Sequence, residues 1–154
     1  MPIYLIRHAK AGDRSAWSGD DRRRPLTPKG REQAARLSTF FAPIAVPRVL
    51  SSPYQRCVET VEPLARSKGL LVERDPRLAE AGSFLDVVEL LASTPDETVL
   101  CSHGDVIPET IDALVRRGME LTGPPDWRKG STWVLERVGA EIVSGTALPP
   151  PEAD

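Results

Sequence analysis

Arg7 and His8 end the apolar run Ile3-Tyr4-Leu5-Ile6, and a guanidinium beside an imidazole suits phosphoryl transfer. Arg holds phosphate oxygens in a bidentate fork, while a neutral imidazole nitrogen can attack phosphorus. The only other histidine, His103, follows Thr98-Val99-Leu100-Cys101-Ser102, and Arg56 comes soon after Arg48-Val49-Leu50-Ser51-Ser52. Each of these runs is short, rich in β-forming residues and halted by polar ones, which reads as a buried strand. In an open α/β sheet, ligands bind beyond the carboxyl ends of the strands, so Arg7, His8, Ser51, Ser52, Arg56 and His103 are expected to converge.

Helices must lie between those strands. Thr27-Pro28-Lys29-Gly30 opens one, with Thr27 as N-cap and Pro28 in the first turn, and Ala34, Leu37, Phe40 and Phe41 recur along it until Pro43 and Pro47. A second is expected over residues 54–68 with Gly69 at its end, followed by a strand at Leu70-Leu71-Val72-Glu73. Phe84, Val87, Val88 and Leu91 mark a third helix, and Ile107, Ile111, Leu114 and Val115 a fourth. Residues 131–136 and 142–148 read as a hairpin through Val138-Gly139-Ala140. The alternation predicts one domain over 1–148: a three-layer α/β/α sandwich, its sheet mostly parallel with an antiparallel edge. The Pro149-Pro150-Pro151 tail to residue 154 is expected to be disordered. Residues 11–26 are polar and form a rim beside His8.

With 154 residues, 40% hydrophobic, 27% charged and a net charge of −2, the chain has a core and lacks the basic excess of a nucleic-acid binder. Its apolar start is too short for a signal peptide or a membrane span, so a cytoplasmic, monomeric protein without membrane or nucleic-acid partners is expected. Cys57 and Cys101 lack metal spacing and read as packed, reduced thiols. A cysteine phosphatase needs Arg six residues after its Cys, where this chain has Pro63 and Ile107. No P-loop follows the first strand. Arg22-Arg23-Arg24 reads as a solvated run, with Arg24 the member placed to meet substrate.

Leu5-Ile6-Arg7-His8-Ala9, Ser51-Ser52-Pro53-Tyr54-Gln55-Arg56-Cys57-Val58-Glu59-Thr60 and Ser102-His103-Gly104 resemble, in order, three signatures of the histidine phosphatase (phosphoglycerate mutase-like) superfamily. Arg24-Pro25-Leu26-Thr27-Pro28-Lys29-Gly30 resembles the small SixA-type phosphohistidine phosphatases. Asp20-Asp21, Arg24-Pro25-Leu26 and the stretch 56–63 are also similar to the phosphatase-like half of some MutT-type Nudix nucleotide hydrolases. The resemblance implies a phosphatase needing no metal or other cofactor. His8 would form a phosphohistidine, and Arg7, Arg56 and His103 would stabilise the transferring group, with Arg24 and Gly104 in substrate binding. It points to Glu80 as the leaving group's proton donor, the other reading of Glu80 being a solvated loop residue. The substrate is read, as for the SixA-type enzymes, as a phosphohistidine on a protein, with a phosphorylated protein or small phosphorylated molecule as partner; nucleotide polyphosphates and a non-catalytic phosphoryl-binding module are the alternatives. Ala9 departs from the Gly that many relatives have after the nucleophile. The span from Arg56 to His103 is filled by regular elements, leaving none for a cap and predicting an open groove.

Overall fold

In the computed structural model, which describes residues 1–151, the first strand β1 (Pro2–Arg7) lies at the centre of a seven-stranded sheet. Its side chains alternate between two cores, as the period of two requires. Ile3 and Leu5 join the core under α3 (Phe84–Ser93) and α4 (Val106–Arg116), while Tyr4 and Ile6 join the one under α1 (Pro28–Phe40) and α2 (Gln55–Ser67). With β2 (Val49–Ser51), β3 (Val72–Arg74), β4 (Val99–Ser102), β5 (Glu120–Leu121), β6 (Thr132–Val138) and β7 (Glu141–Leu148), the order is β3-β2-β4-β1-β6-β7-β5. Neighbours from β3 to β1 run parallel, and β6 is antiparallel to both β1 and β7. This is the expected three-layer α/β sandwich.

Register positions the site. Arg7 on β1 pairs with Ser102 on β4, and Ser51 on β2 pairs with Cys101, so Ser52, His103 and His8 emerge in a row. The His8 amide donates to the Ser102 carbonyl (3.1 Å) and the Ser52 amide to the Cys101 carbonyl (3.0 Å), extending both pairings by a residue. Thr27 caps α1 by accepting from the Gly30 amide (3.1 Å).

Several expectations are corrected. Leu70 closes the end of α2, its amide donating to the Ala65 carbonyl, and Leu71 is 88% exposed, so the third strand begins at Val72. Phe40 is half exposed, because the buried stripe of α1 runs through Ala34 and Leu37 to Phe41 and leaves it to one side. Residues 119–130, whose Pro and Gly content reads as a loop, contain the short, exposed β5, which pairs with β7. Pro150 is buried, next to Gly130, so the proline stretch packs on the domain; 152–154, the rest of the expected tail, lie outside the described residues. Cys57 and Cys101 are free and buried, as expected. Among the described residues no helix is long and apolar enough to cross a membrane.

Candidate active site

The two strand-end histidines meet edge to face, ring centroids 5.5 Å apart. His8 is buried, and its Nδ1 lies 2.8 Å from the Ala9 carbonyl. A carbonyl only accepts, so Nδ1 carries the proton and Nε2 of the neutral ring keeps its lone pair. Burial pushes the pKa of His8 down to about 3; the bond to Ala9 opposes this, and His103, Arg56 and Arg7 add to the fall. The neighbouring backbone is held as well. Ala9 donates to Thr60 Oγ1 (2.9 Å), which donates to the Arg56 carbonyl (2.7 Å), tying β1 to α2. Ala9 packs with Ala11, Leu26 and Ala34, a setting that accommodates its methyl group.

His103 places Nε2 2.8 Å from Ser52 Oγ, which accepts from the Tyr54 amide (3.2 Å). Its Nδ1 is buried without a partner, a donor or acceptor left for something else. Arg7 donates from Nη1 to the Trp127 carbonyl (2.6 Å), which brings residues 122–130 to the border of the site. A Cβ on Gly104 would lie 2.5 Å from the Arg7 Cζ, so the guanidinium occupies the room that glycine leaves.

Arg56 is 1% exposed at the start of α2, its Cζ 4.9 Å from the Tyr54 ring centroid. Its Nη1 donates to the Asp21 carbonyl (2.9 Å), and its Nη2 to Asp21 Oδ2 and Glu80 Oε2 (3.1 Å each). Glu80 also binds Arg14, which crosses the mouth of the site from the 11–26 loop. Asp21 further accepts from Arg24 Nε (3.0 Å), and Arg24 Nη1 donates to the carbonyls of Ala11 and Gly12 (2.9 Å each). Arg24 is therefore buried and folds the loop, while Arg22 and Arg23 stay exposed as read.

An open cavity of about 520 Å³ is lined by Arg7, His8, Arg24, Arg56, Glu80, His103 and Gly104, whereas the buried Ser51 and Ser52 are not on its wall, Ser52 reaching the site only through His103. Arg14, Asp105 and Lys129 line it too, and follow from no sequence pattern, while Asp21, part of the Asp20-Asp21 motif but not read as a site residue, holds Arg56 from behind. Burial and the charges of Arg7, Arg24 and Arg56 push the Lys129 pKa down. The carboxylates are engaged. Asp13 accepts from Ser15, and Asp105 from the Val106 and Ala81 amides (2.8 Å each), besides the pairs of Asp21 and Glu80. The cavity thus offers fixed cations, one unprotonated imidazole nitrogen and one spare ring nitrogen, which suits a tetrahedral oxyanion.

Comparison with known proteins gives a match of residues 3–86 to the model of the histidine phosphatase superfamily (branch 1). An 8-oxo-(d)GTP phosphatase of Mycolicibacterium smegmatis is 34% identical over 97% of this chain, which spans 48% of that protein. A probable phosphoglycerate mutase of Escherichia fergusonii is 31% identical over 52% of the chain and 38% of its own length. The chain thus spans about half the length or less of these curated relatives. Among solved structures, the protein histidine phosphatase SixA complexed with tungstate superimposes with a TM-score of 0.76 at 21% identity, covering 96% of this chain and 94% of that one.

Proposed function

We propose, since the chain belongs to the histidine phosphatase superfamily, that it hydrolyses phosphorylated substrates through a covalent phosphohistidine on His8. The observation that carries this reading is the His8 ring, its Nδ1–H on the Ala9 carbonyl and its Nε2 unprotonated in a cavity walled by Arg7, Arg56 and His103. In the first step Nε2 attacks phosphorus, and the bond to the leaving group breaks with its electron pair. Arg7 and Arg56 neutralise the equatorial oxygens while His103 Nδ1 donates to one of them. Water then attacks the phosphohistidine, the N–P bond breaks back to Nε2, phosphate leaves and a proton passes to solvent.

Substrate follows from the leaving group. Every carboxylate around the cavity is engaged, Glu80 by two guanidiniums, so the arrangement favours leaving groups that depart without general-acid help. A phosphate leaving from an anhydride meets that condition, and an alkoxide does not. Together with the likeness over 97% of the chain to an 8-oxo-(d)GTP phosphatase, this supports nucleoside polyphosphates as substrates. A phosphohistidine protein is the second reading, favoured by the open mouth of the cavity. The test is a panel of kcat/KM values on nucleoside di- and triphosphates, a phosphohistidine protein and sugar phosphates, for the wild type and His8→Ala. Turnover of nucleotides above sugar phosphates, abolished in the variant, is expected; equal turnover by His8→Ala would end the proposal.

A further inference from the structure

The two ring nitrogens of the buried His103 have unlike surroundings. Nε2 is turned to Ser52 Oγ at 2.8 Å, while Nδ1 has no partner and is the nitrogen left for the cavity that the ring lines. Which of them holds the proton of a neutral imidazole follows from what Ser52 can give and take. Its Oγ accepts from the Tyr54 amide (3.2 Å), and its own hydrogen still needs an acceptor. Ser52 is fully buried, and among the described residues the one acceptor that its hydroxyl meets is His103 Nε2. With the proton on Nε2 instead, that hydroxyl hydrogen would be buried without a partner, which folded proteins avoid. Cys57 Sγ lies 3.5 Å from the same nitrogen and has the Ser102 carbonyl (3.7 Å) to donate to, so it asks no proton of Nε2. The hydroxyl itself is firmly placed. The Ser52 amide donates to the Cys101 carbonyl (3.0 Å), its carbonyl accepts from Ser51 Oγ (2.8 Å), and Pro53 restricts its backbone. The rings of Tyr54 and His8 stand edge-on to the imidazole, centroids 4.7 Å and 5.5 Å away.

We propose that Ser52 is a positioning residue that fixes the tautomer of His103, its hydroxyl donating to Nε2 so that the ring proton sits on Nδ1. An ionised phosphoryl oxygen only accepts, so the nitrogen that meets it must carry hydrogen. The two histidines then hold the same tautomer for opposite ends. At His8 the Ala9 carbonyl takes the Nδ1 hydrogen and leaves Nε2 bare to attack, whereas at His103 the Ser52 hydroxyl occupies Nε2 and leaves Nδ1–H to donate. The inference rests on the phosphohistidine reading above and adds the residue behind its second imidazole. Ser52 is off the cavity wall and acts on the phosphoryl group through His103. A Ser52 that served only to tie the Tyr54 amide at the start of α2 could be lost without moving the tautomer.

The test is the ¹⁵N spectrum of the full chain with labelled histidine, in which ring nitrogens with and without hydrogen separate widely; the chain has two histidines, and His8→Ala assigns them. At about pH 8, where an ordinary imidazole is neutral, wild-type His103 is expected with Nδ1 protonated and Nε2 bare. Ser52→Ala should move the ring toward the Nε2–H form and lower kcat/KM on p-nitrophenyl phosphate about 10-fold. Hydrogen on Nε2 of wild-type His103, whether as the other tautomer or as an imidazolium paired with a Cys57 thiolate, overturns the proposal. So does a folded Ser52→Ala whose tautomer is unmoved, whatever its activity, or one whose tautomer moves while its activity stays. Should Ser52→Ala not fold, Ser52→Cys, whose thiol is a weak donor, takes its place with the same shift expected and the same outcomes against it. A wild type with Nδ1 protonated that turns over no phosphoryl compound ends the phosphohistidine reading, yet supports the hold of Ser52 on the ring.

Discussion

Gly104→Ala should disable catalysis while sparing the fold. The added Cβ would sit 2.5 Å from the Cζ and Nη2 of Arg7 and 2.7 Å from its Nε, where carbon needs about 3.5 Å. The guanidinium must therefore retreat by about 1 Å, and its Nη1 is already held by the Trp127 carbonyl at 2.6 Å, which limits its escape. A displacement of that size at a phosphoryl-gripping group costs about 10²-fold in rate, close to the 10²–10³-fold expected for deleting a charge-stabilising donor. Gly104 is not among the positive-φ glycines, so its backbone accepts alanine, and the atoms met belong to one side chain. Thermal denaturation should move by only a few degrees. The assay is kcat/KM on p-nitrophenyl phosphate for the wild type, Gly104→Ala and Arg7→Ala. Full activity in Gly104→Ala, or a loss matched by a collapse in thermal stability, would refute the reasoning.

Asp21→Asn removes the carboxylate that shares Arg56 and Arg24, and should lower kcat/KM about 10-fold by loosening the guanidinium; inorganic vanadate should bind correspondingly less tightly, and unchanged vanadate affinity would show that Asp21 does not position Arg56. For His8 the folded pKa lies far below the ordinary histidine value, so the ring stays neutral in the native protein as pH falls from 8 to 5 and charges only near 3. An NMR titration of its ring protons should be flat across that interval, and an inflection near 6.5 would contradict it. If the proposed reading holds, with Arg7 and Arg56 supplying the positive charge, chelators should leave activity intact while vanadate or tungstate inhibits; activity lost to EDTA and regained with a divalent metal would count against this.

The unbroken apolar run Ile3-Tyr4-Leu5-Ile6 and the polar stops at Arg7-His8, Ser51-Ser52 and Ser102-His103 made the sheet and the row of functional groups legible, because short buried apolar runs and their polar ends are local properties. Gly104 was legible as part of a motif, although its reason, room for Arg7, needed the third dimension. Arg14 and Lys129 were not legible, and Asp21 was legible only as part of a motif, its hold on Arg56 not. They sit in polar loops without period, and their roles arise only when residues 11–26 and 119–130 fold over the strand ends. Glu80 was found by motif, but its pairing with Arg14 and Arg56 depends on bringing together residues 66 and 24 positions apart in the chain. The shift of the third strand shows the converse limit, since Leu70 and Leu71 look like strand residues and serve as the turn that ends α2.

The most direct test of the account is chemical trapping of the intermediate. The wild-type chain is mixed with a phosphorylated substrate, quenched in alkali within milliseconds and digested for mass spectrometry. An acid-labile, alkali-stable phosphoryl group on His8 alone, approaching one per chain before steady state and absent from His8→Ala, is the result predicted. Rapid turnover with no phosphoryl group on His8, or with one on His103 instead, would contradict it.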